Sequence, residues 1–494
     1  MPETNAAEIP FLRASDKKMF IGGQWVDAAS GKRIDTLNPA TGKIIATLPE
    51  GDAEDINRAV RIARRTFEGE WARWKPYDRA RLLIRIHDLV ERHWDEIAAL
   101  ETTDMGAPLT RTRALRTWVL HSILYYATQA QNIAGQTLPN SLPGDHLTIT
   151  LKKPLGVVGG IIPWNGPVIA MWWIIAPALA TGCTVVLKPA EEASLSVLRI
   201  TELLVEAGVP DGVVNIVTGF GSTAGAALAA HPDVDRIAFT GSTSTGRKIV
   251  EASAGNLKRL HLELGGKSPD IVFADADLER AAKGATMGTM NNSGQICFSG
   301  TRVFVERSIE QEFVERMVGV ASALRIGNGM DEQSQIGPLI SAKQLGTVSK
   351  YVELGLEQGA TLATGGTRVG GDLAEGYYYT PTIFSGATNE MRVAREEIFG
   401  PVICVIPFDT PEEALRLAND TEYGLGGGVW SRDFNTVMQM VRGIQAGAVW
   451  VNNYGVIDPS VGFGGTKLSG YGIKGGPDHI GTFLTQTNAY IQMD

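Results

Sequence analysis

Three residues of this 494-residue sequence combine a side chain suited to catalysis with a local sequence that places it at a turn or a strand end. Cys297 follows a polar, glycine-containing segment at 292–296, and a cysteine thiolate is a strong nucleophile. Glu263 lies between two leucines, where partial desolvation would raise its pKa and suit it to general-base work. Asn165 follows a predicted strand, and its amide could donate a hydrogen bond to an oxyanion.

Each of these residues also has an ordinary structural interpretation, which the local patterns leave open. Cys297 could be an inert packing residue, as most buried cysteines are. Glu263 could form an ion pair with Lys267, and Asn165 could be a plain turn asparagine. The two remaining cysteines lie in apolar, strand-like sequence, which favours packing for both.

Two glycine-rich segments have the form of phosphate-binding loops. Residues 239–246 read as a strand, a loop and the start of a helix, and a helix N-terminus binds phosphate through its free N–H groups. Residues 219–225 contain G-x-G-x-x-x-G, which is one residue off the usual dinucleotide spacing and is weak evidence by itself. Lys188 and Glu191 follow a predicted strand and could hold ribose hydroxyls. Either glycine-rich segment could receive a dinucleotide at the strand ends.

The elements that would position these residues alternate between strand and helix from residue 155 onward. Short apolar strands joined by helices predict a parallel sheet covered on both faces, with ligands at the carboxyl ends of the strands. The predicted strands are Val157–Ile162, Thr184–Leu187, Val213–Val217, Arg236–Phe239 and Leu260–Leu264, with helices at Ser194–Ala207 and Ser222–Ala230. A second α/β stretch follows from about 266 to 470, with strands such as Val402–Pro407 and Ala448–Asn452.

The segments before this sheet predict two amphipathic helices and a hairpin strand. Apolar residues recur at helical spacing over 56–67, after an N-cap at Asp52, and a second apolar stripe covers 82–97. Strict alternation over 147–151, after a Pro-Gly-Asp turn, predicts one strand of a projecting hairpin. Residues 168–187 have the length of a membrane span, but proline and glycine interrupt them, so we expect a buried helix and then a strand.

The composition argues against several classes of function. The net charge is −9 with no block of basic residues, which argues against a nucleic-acid partner. The first ten residues form no secretory signal and the cysteines number only three, so we expect a cytoplasmic protein without membrane contact. The seven histidines show no metal-ligand pattern, so we expect no metal. The P-loop and the serine-hydrolase elbow motif do not occur in the sequence.

Taken together, these segments resemble the aldehyde dehydrogenase superfamily along nearly the whole chain. One motif alone would be weak evidence, but seven in the family's order are very specific. The matching motifs are Pro163-Trp164-Asn165, Lys188-Pro189-Ala190-Glu191, Phe239-Thr240-Gly241-Ser242-Thr243, Leu262-Glu263-Leu264-Gly265-Gly266-Lys267, Gly294-Gln295-Ile296-Cys297, Glu396-Glu397-Ile398-Phe399-Gly400-Pro401 and Phe463-Gly464-Gly465-x-Lys467-x-Ser469-Gly470.

The resemblance implies an α/β fold with a Rossmann-type cofactor domain, an α/β catalytic domain and a small β oligomerisation arm. The NAD-binding domain would cover 1–135 and 155–262, and the catalytic domain 263–475. Residues 136–154 and 476–494 would form the arm and pair across subunits in a homodimer or homotetramer. The activity implied is the non-acylating, hydrolytic oxidation of an aldehyde to a carboxylic acid with NAD(P)⁺, through a cysteine thiohemiacetal and thioester.

The resemblance also implies a role for each site residue. Cys297 would be the nucleophile, Glu263 the general base, and the Asn165 amide would form the oxyanion hole with the backbone N–H of Cys297. The cofactor would be held by Lys188 and Glu191 at the adenosine ribose, by Gly241 and Ser242 at the pyrophosphate, and by Glu397 and Phe399 at the nicotinamide, within a cleft formed by Ile161, Ile162, Trp164, Gly221, Gly225, Phe239 and Leu264.

Three departures from the family pattern bear on the substrate. Gly166 stands where an aromatic residue is common, Ile174 where a lysine is frequent, and Gly462 where a proline commonly precedes Phe-Gly-Gly. The loss of a ring at 166 would widen the substrate tunnel. Apolar walls would come from Gly166, Trp173, Ile296, Phe298 and Ile457, with Trp172 as a further candidate. Helix packing would explain either tryptophan equally well. No arginine or lysine is clearly aimed at a substrate carboxylate, so we expect a medium or bulky apolar aldehyde, aromatic or terpenoid.

Glu191 favours NAD over NADP, because its carboxylate would accept hydrogen bonds from ribose hydroxyls and repel a 2′-phosphate; NADP stays possible. Two alternatives remain. One is a CoA-acylating aldehyde dehydrogenase, against which the retained base Glu263 argues. The other is a non-catalytic structural homologue, against which the joint presence of Cys297, Glu263 and Asn165 argues.

Overall fold

The structure is a computed structural model that describes residues 9–493. Its α-helices are α1 (Ala53–Glu68), α2 (Pro76–Arg92), α3 (Trp94–Met105), α4 (Leu109–Gln129), α5 (Pro167–Thr181), α6 (Leu195–Glu206), α7 (Ala226–Ala230), α8 (Thr243–Ala252), α9 (Leu278–Met290), α10 (Glu310–Ser322), α11 (Ala342–Glu357), α12 (Arg392–Arg395), α13 (Pro411–Asn419), α14 (Phe434–Gly443) and α15 (Gly476–Gly481). Its strands are β1 (Met19–Ile21), β2 (Gln24–Val26), β3 (Arg33–Asn38), β4 (Lys43–Pro49), β5 (Thr137–Leu138), β6 (His146–Pro154), β7 (Val157–Ile161), β8 (Thr184–Lys188), β9 (Val214–Ile216), β10 (Arg236–Thr240), β11 (Arg259–Glu263), β12 (Pro269–Val272), β13 (Arg302–Glu306), β14 (Thr361–Thr364), β15 (Thr382–Ser385), β16 (Val402–Phe408), β17 (Tyr423–Gly424), β18 (Gly426–Trp430), β19 (Ala448–Val451), β20 (Thr466–Lys467), β21 (Gly470–Tyr471) and β22 (Leu484–Gln492).

The first large sheet has the strand order β2-β1-β9-β8-β7-β10-β11-β21. Its five central strands are β9, β8, β7, β10 and β11 in spatial order. They pair in parallel, which confirms the predicted parallel sheet. The sequences of these strands are continuous apolar runs because helices cover both faces of the sheet. Helices α5 and α6 pack on one face, with α2, α3 and α4 packed behind them, and α1, α7 and α8 pack on the other.

The second large sheet has the order β14-β15-β16-β13-β12-β18-β19, and all its pairings except β14–β15 are parallel. It too lies between two layers of helices, which gives the α/β fold that was predicted. The short segment 264–268 connects β11 of the first sheet to β12 of the second. Glu263 therefore stands where the two sheets meet.

A separate three-stranded sheet has the order β22-β6-β5. β6 contains the alternating residues 147–151 and pairs with β22 over nine residues, from Leu484↔Pro154 to Gln492↔His146. This pairing confirms the predicted strand. β22 lies at the edge of this sheet, with a partner on one side only among the described strands.

The N-terminal helices agree with the sequence prediction in one place and correct it in another. The Asp52 side chain caps α1 by accepting from the N–H of Glu54 at 2.9 Å. The single apolar stripe over 82–97 is divided between α2 and α3, because the chain turns at His93, which ends one helix and begins the next. An apolar stripe reports which residues are buried, and it carries no information on whether the helix axis is continuous.

The apolar segment 168–187 forms the buried helix α5 followed by strand β8, as predicted. Pro177 lies inside the helix, and Gly182 ends it in a left-handed conformation with φ of 91°. Among residues 9–493, no helix combines the length and the apolar character that crossing a membrane requires.

Candidate active site

A turn in an unusual backbone conformation leads from α9 to Cys297. Asn292 and Ser293 both adopt left-handed backbone angles, with φ of 54° and 57°, a conformation that costs energy for residues with a side chain and needs outside support. The Ser293 hydroxyl supplies support by donating to the carbonyl of Gly337 at 2.8 Å. The Gln295 side chain adds more by accepting from a backbone N–H at 2.9 Å. These contacts fix the segment that carries the thiol.

Cys297, Glu263 and Asn165 line one cavity of about 690 Å³. They come from separate elements, since Glu263 ends β11, Asn165 lies between β7 and α5, and Cys297 follows α9. The Asn165 amide donates to the carbonyl of Gln295 at 2.8 Å, which leaves its second N–H for another acceptor. Lys267, the alternative partner of Glu263, donates to a backbone carbonyl instead. The structure therefore brings together the three residues selected from the sequence.

The five predicted wall residues also line this cavity: Gly166, Trp173, Ile296, Phe298 and Ile457. Aromatic rings make up much of the wall. Trp173 lies parallel to Phe463 at a centroid distance of 6.2 Å and meets Trp118 edge-on at 5.1 Å. Phe298 meets Phe463 edge-on at 5.6 Å. These ring contacts give this part of the wall an apolar surface.

The contribution of α4 to the cavity wall was not predicted from the sequence. Trp172, a predicted wall residue, does not line the cavity. It is fully buried in the core instead, because neighbouring residues on a helix point about 100° apart. Helix α4 contributes to the wall through residues at helical spacing: Arg111, Ala114, Leu115 and Trp118. That spacing is visible in the sequence, but it does not distinguish a cavity wall from a core contact.

Four cationic side chains line the cavity, although the sequence showed no arginine or lysine clearly aimed at a substrate carboxylate. They are Arg111, Arg280, Lys283 and Lys474. One terminal nitrogen of Arg111 is buried without a hydrogen-bond partner in the described chain. Lys474 is 4% exposed and donates to the Thr240 hydroxyl at 2.6 Å. These cations come from α4, α9 and the segment after β21, so only the folded chain brings them to one cavity.

Burial sets the protonation of the two reactive groups. Glu263 is 2% exposed, and desolvation raises its pKa to about 7 against the opposing charge of Lys474. Burial, followed by the carboxylates of Glu263 and Glu397, raises the pKa of the Cys297 thiol to about 12. The thiol therefore holds its proton near neutrality, and Glu263 is poised to accept one.

The predicted adenosine-ribose residues lie at the carboxyl end of β8. Lys188 and Glu191 form an ion pair at 2.8 Å, with side chains 2% and 27% exposed respectively. The predicted helix 222–230 begins instead with one π-helical turn, Gly221–Gly225, that leads into α7. A Cβ on Gly221 would meet nothing within 4 Å, and one on Gly225 would meet only the Lys188 side chain. Neither glycine would bring a Cβ against backbone, so this turn lies beside the ion pair without close packing.

The predicted phosphate-binding segment follows β10. Ser242 is exposed and caps α8 by accepting from the N–H of Thr245 at 3.3 Å. Gly241 is required by packing, since a Cβ there would lie 2.5 Å from the ring of Phe239. The free amides of the first turn of α8 suit a phosphate group. Nearby, the predicted apolar cofactor residues are buried: Ile161, Ile162 and Leu264.

The predicted nicotinamide residues lie against the segment that connects the two sheets. Glu397 accepts from the N–H of Gly266 at 3.1 Å, and burial raises its pKa to about 7. A Cβ on Gly266 would come within 2.3 Å of the Cys297 carbonyl oxygen, so this glycine allows close packing beside the nucleophile. Phe399 has a left-handed φ of 57°, and its ring meets Trp164 edge-on at 5.2 Å. The predicted cofactor residues thus lie after β8, after β10 and against the segment 264–268.

A surface group on α2 corrects the expectation that the histidines show no metal-ligand grouping. The potential ligand atoms of His87, Asp88 and Glu91 lie within 4.8 Å of one another. Asp88 and Glu91 are exposed, and none of the three lines the cavity. We assign the group no role in the chemistry of the site.

Known proteins are similar to this chain in sequence and in fold over nearly its full length. Residues 25–489 match the sequence model of the aldehyde dehydrogenase family. The chain is 46% identical over 470 residues to the mitochondrial benzaldehyde dehydrogenase of Antirrhinum majus, covering 94% of this chain and 87% of the relative. It is 42% identical over 481 residues to the phenylacetaldehyde dehydrogenase of Pseudomonas fluorescens, covering 96% and 95%. The structure of an aldehyde dehydrogenase from Bacillus cereus in complex with NAD⁺ superposes with a TM-score of 0.96 at 43% identity, covering 100% of this chain and 99% of that chain.

Proposed function

Because this chain belongs to the aldehyde dehydrogenase family, we propose that it oxidises an apolar aldehyde, aromatic or terpenoid, to a carboxylic acid with NAD⁺. The observation that carries the proposal is the meeting of Cys297, Glu263 and Asn165 at one cavity whose wall includes six aromatic side chains. The relatives that are named for benzaldehyde and phenylacetaldehyde support the aromatic substrate class.

The first step is the addition of the Cys297 sulfur to the aldehyde carbon. The thiol would give up its proton as the C–S bond forms, and Glu263, which lines the same cavity and has a pKa of about 7, would accept it. The free N–H of the Asn165 amide and the backbone N–H of Cys297 would stabilise the resulting oxyanion. Each such donor contributes roughly 3 kcal/mol to the transition state in enzymes of this kind.

The residues at the strand ends would bind the cofactor. The chemistry that NAD⁺ supplies when bound is the acceptance of a hydride from the substrate carbon, which leaves a thioester on Cys297. Lys188 and Glu191 would hold the adenosine ribose, and Glu397 the nicotinamide ribose. The amides at the start of α8 would hold the pyrophosphate. The carboxylate of Glu191 supports NAD over NADP, because it would repel a 2′-phosphate.

The last step is hydrolysis of the thioester. Glu263 would first release to solvent the proton that it took from Cys297. It would then take a proton from a water molecule, whose oxygen adds to the acyl carbon as the Cys297 sulfur leaves. The sulfur regains a proton, and the carboxylic acid is released. A CoA-acylating enzyme would use a thiol in place of water, and the presence of a buried carboxylate beside the nucleophile supports the hydrolytic reaction instead.

We also propose a domain organisation for the chain. Residues 1–135 and 155–262 would form the cofactor domain and residues 263–475 the catalytic domain, although β21 of the latter range pairs with β11 of the first sheet. Residues 136–154 and 476–494 would form the oligomerisation arm. The edge position of β22 supports pairing across subunits in a dimer or tetramer, because an edge strand offers unpaired backbone groups.

A substrate panel tests the proposed function. The purified protein is assayed with NAD⁺ and with NADP⁺ on benzaldehyde-like, terpenoid, short aliphatic, acidic semialdehyde and quaternary-ammonium aldehydes, and the reduced nicotinamide is followed by absorbance. The acid product is quantified in the absence of CoA, and the Cys297→Ser variant serves as the control. The highest kcat/KM is expected for aromatic or terpenoid aldehydes. A preference for acidic semialdehydes would reject the substrate class, and turnover that depends on CoA would reject the hydrolytic reaction.

A further inference from the structure

β11 places a histidine directly beside the proposed general base. His261 and Glu263 are two residues apart in the strand, so their side chains point to the same face of the sheet. Nε2 of His261 lies 3.2 Å from Oε1 of Glu263, and each residue is 2% exposed. The other carboxylate oxygen of Glu263 has no hydrogen-bond partner in residues 9–493 and is available for water.

The neighbouring strand β10 determines which nitrogen of His261 carries the proton. The NH2 nitrogen of Arg236 lies 3.1 Å from Nδ1 of His261. A guanidinium can only donate, so Nδ1 must accept, and the ring hydrogen of a neutral imidazole then resides on Nε2. Burial, followed by the charges of Lys474, Arg236 and His479, holds the pKa of His261 well below its usual range. The ring is therefore neutral, and its N–H points at Glu263.

Arg236 is itself held in place by the segment after α15. Its NH1 nitrogen donates to the hydroxyl of Thr482, and its guanidinium lies 4.2 Å from the centre of the Phe483 ring. The side chain is 2% exposed. A buried arginine with contacts on two sides has little freedom to move, so the hydrogen bond that it gives to His261 is fixed in direction.

We propose that His261 is a positioning residue for the general base, and that its Nε2–H, oriented by Arg236, holds one oxygen of Glu263 and leaves the other for the hydrolytic water. The inference rests on the proposed function, in which Glu263 activates that water. A hydrogen bond to a carboxylate favours its charged form. Loss of the donor would free the Glu263 side chain to change rotamer and would let it bind a proton at higher pH, so hydrolysis of the thioester would slow.

Other titratable groups also face Glu263 and affect its protonation. They are Lys474 from the segment after β21 and Cys297 from the segment after α9, in addition to His261 on the same strand. A test of His261 must therefore separate the effect of its hydrogen bond on Glu263 from the electrostatic effect of these other groups. Glutamine reaches a similar distance and can donate from its amide, whereas leucine cannot donate.

The experiment compares His261→Leu with His261→Gln by rapid-quench kinetics and by the pH dependence of kcat. We expect His261→Leu to slow acid release by about 10-fold or more, while formation of the reduced cofactor in the first turnover is less affected. The acid limb of its kcat profile should move to higher pH. His261→Gln should stay within about 3-fold of the wild type. His231→Leu, which changes a half-buried histidine outside the cavity, is the matched control and should behave as the wild type.

The outcomes separate this inference from the proposed function. If His261→Leu releases acid at the wild-type rate with an unchanged pH profile, or if His261→Gln is as slow as His261→Leu, the positioning role is wrong. If Glu263→Gln still hydrolyses the thioester, the proposed base itself is wrong. Should His261→Leu not fold, the ¹⁵N shifts of labelled His261 in the wild type decide, because a proton found on Nδ1 overturns the proposal.

Discussion

The ammonium of Lys474 lies 4.6 Å from the centre of the Trp173 ring. The ring face attracts the cation, and the Thr240 hydroxyl accepts a hydrogen bond from it at 2.6 Å. The same charge lowers the pKa of Glu263 and of Cys297, in opposition to the burial that raises both. The cavity thus contains a fixed cation that partly offsets the cost of ionising its two reactive groups.

Removal of this cation should move the activity to higher pH. In Lys474→Met the pKa of Glu263 rises further, so its carboxylate form is reached only at higher pH. We expect the acid limb of the kcat profile to shift upward and kcat/KM at pH 7 to fall by about 10-fold, with recovery on the alkaline side. Lys474→Arg keeps the charge and should shift the limb much less. An unchanged limb in Lys474→Met would show that the charge does not act on the base.

The wild-type rate of turnover should depend on the titration of Glu263. Its pKa is raised to about 7, so the carboxylate is present above that pH and is lost as the pH falls through it. Below pH 7 we expect kcat to decrease by about tenfold for each pH unit. Glu263→Gln should remove this limb and slow hydrolysis by about 10²- to 10⁴-fold. Steady-state assays across pH 5–9 in a buffer of constant ionic strength measure the pH profile of the wild type and the rate of the variant. If the acid limb persists in Glu263→Gln, it belongs to another group.

The cofactor preference should depend on Glu191. Replacement by serine removes the carboxylate that would repel a 2′-phosphate and leaves the buried Lys188 ammonium without its partner at 2.8 Å. The ratio of kcat/KM for NADP⁺ over NAD⁺ should therefore rise by about 10-fold in Glu191→Ser. The Glu192→Ser variant, at the adjacent position, is the control. An unchanged ratio would contradict the placement of the ribose beside Glu191.

The width of the cavity should depend on the absence of a side chain at 166. A Cβ on Gly166 would meet nothing within 4 Å, and its φ of −178° is extended backbone that any residue adopts. Gly166→Phe should fold normally and fill part of the cavity. We expect KM for a bulky aromatic aldehyde to rise by about 10-fold or more, with little change for a two- or three-carbon aldehyde. An equal loss on both substrates would indicate general damage to the site.

The sequence was sufficient for the parts of the molecule that are encoded locally. The five central strands of the first sheet are short apolar runs, and Cys297, Glu263 and Asn165 each lie in a distinctive motif at the end of an element. The contribution of α4 to the cavity could not be predicted, because its helical stripe is the same whether it faces a core or a ligand. Lys474 was missed for a related reason: only tertiary packing brings it to residues more than 170 positions away.

The contacts that link Glu263, His261 and Arg236 could not be predicted from the sequence either. His261 alternates with leucines on β11 and reads as an ordinary strand residue. Its partner Arg236 lies on another strand, and the parallel register that makes them diagonal neighbours is a property of the sheet. Side chains that act through hydrogen bonds across strands leave no spacing signal within one segment.

The high pKa of Cys297 has a consequence for the lifetime of the enzyme. Peroxide and alkylating reagents attack the thiolate, and burial with two nearby carboxylates keeps the sulfur protonated, with a pKa of about 12. Between turnovers the nucleophile therefore rests as the less reactive thiol, in the same surroundings that require a base to activate it. Inactivation by iodoacetamide should be slow at neutral pH and should accelerate as the solution becomes alkaline.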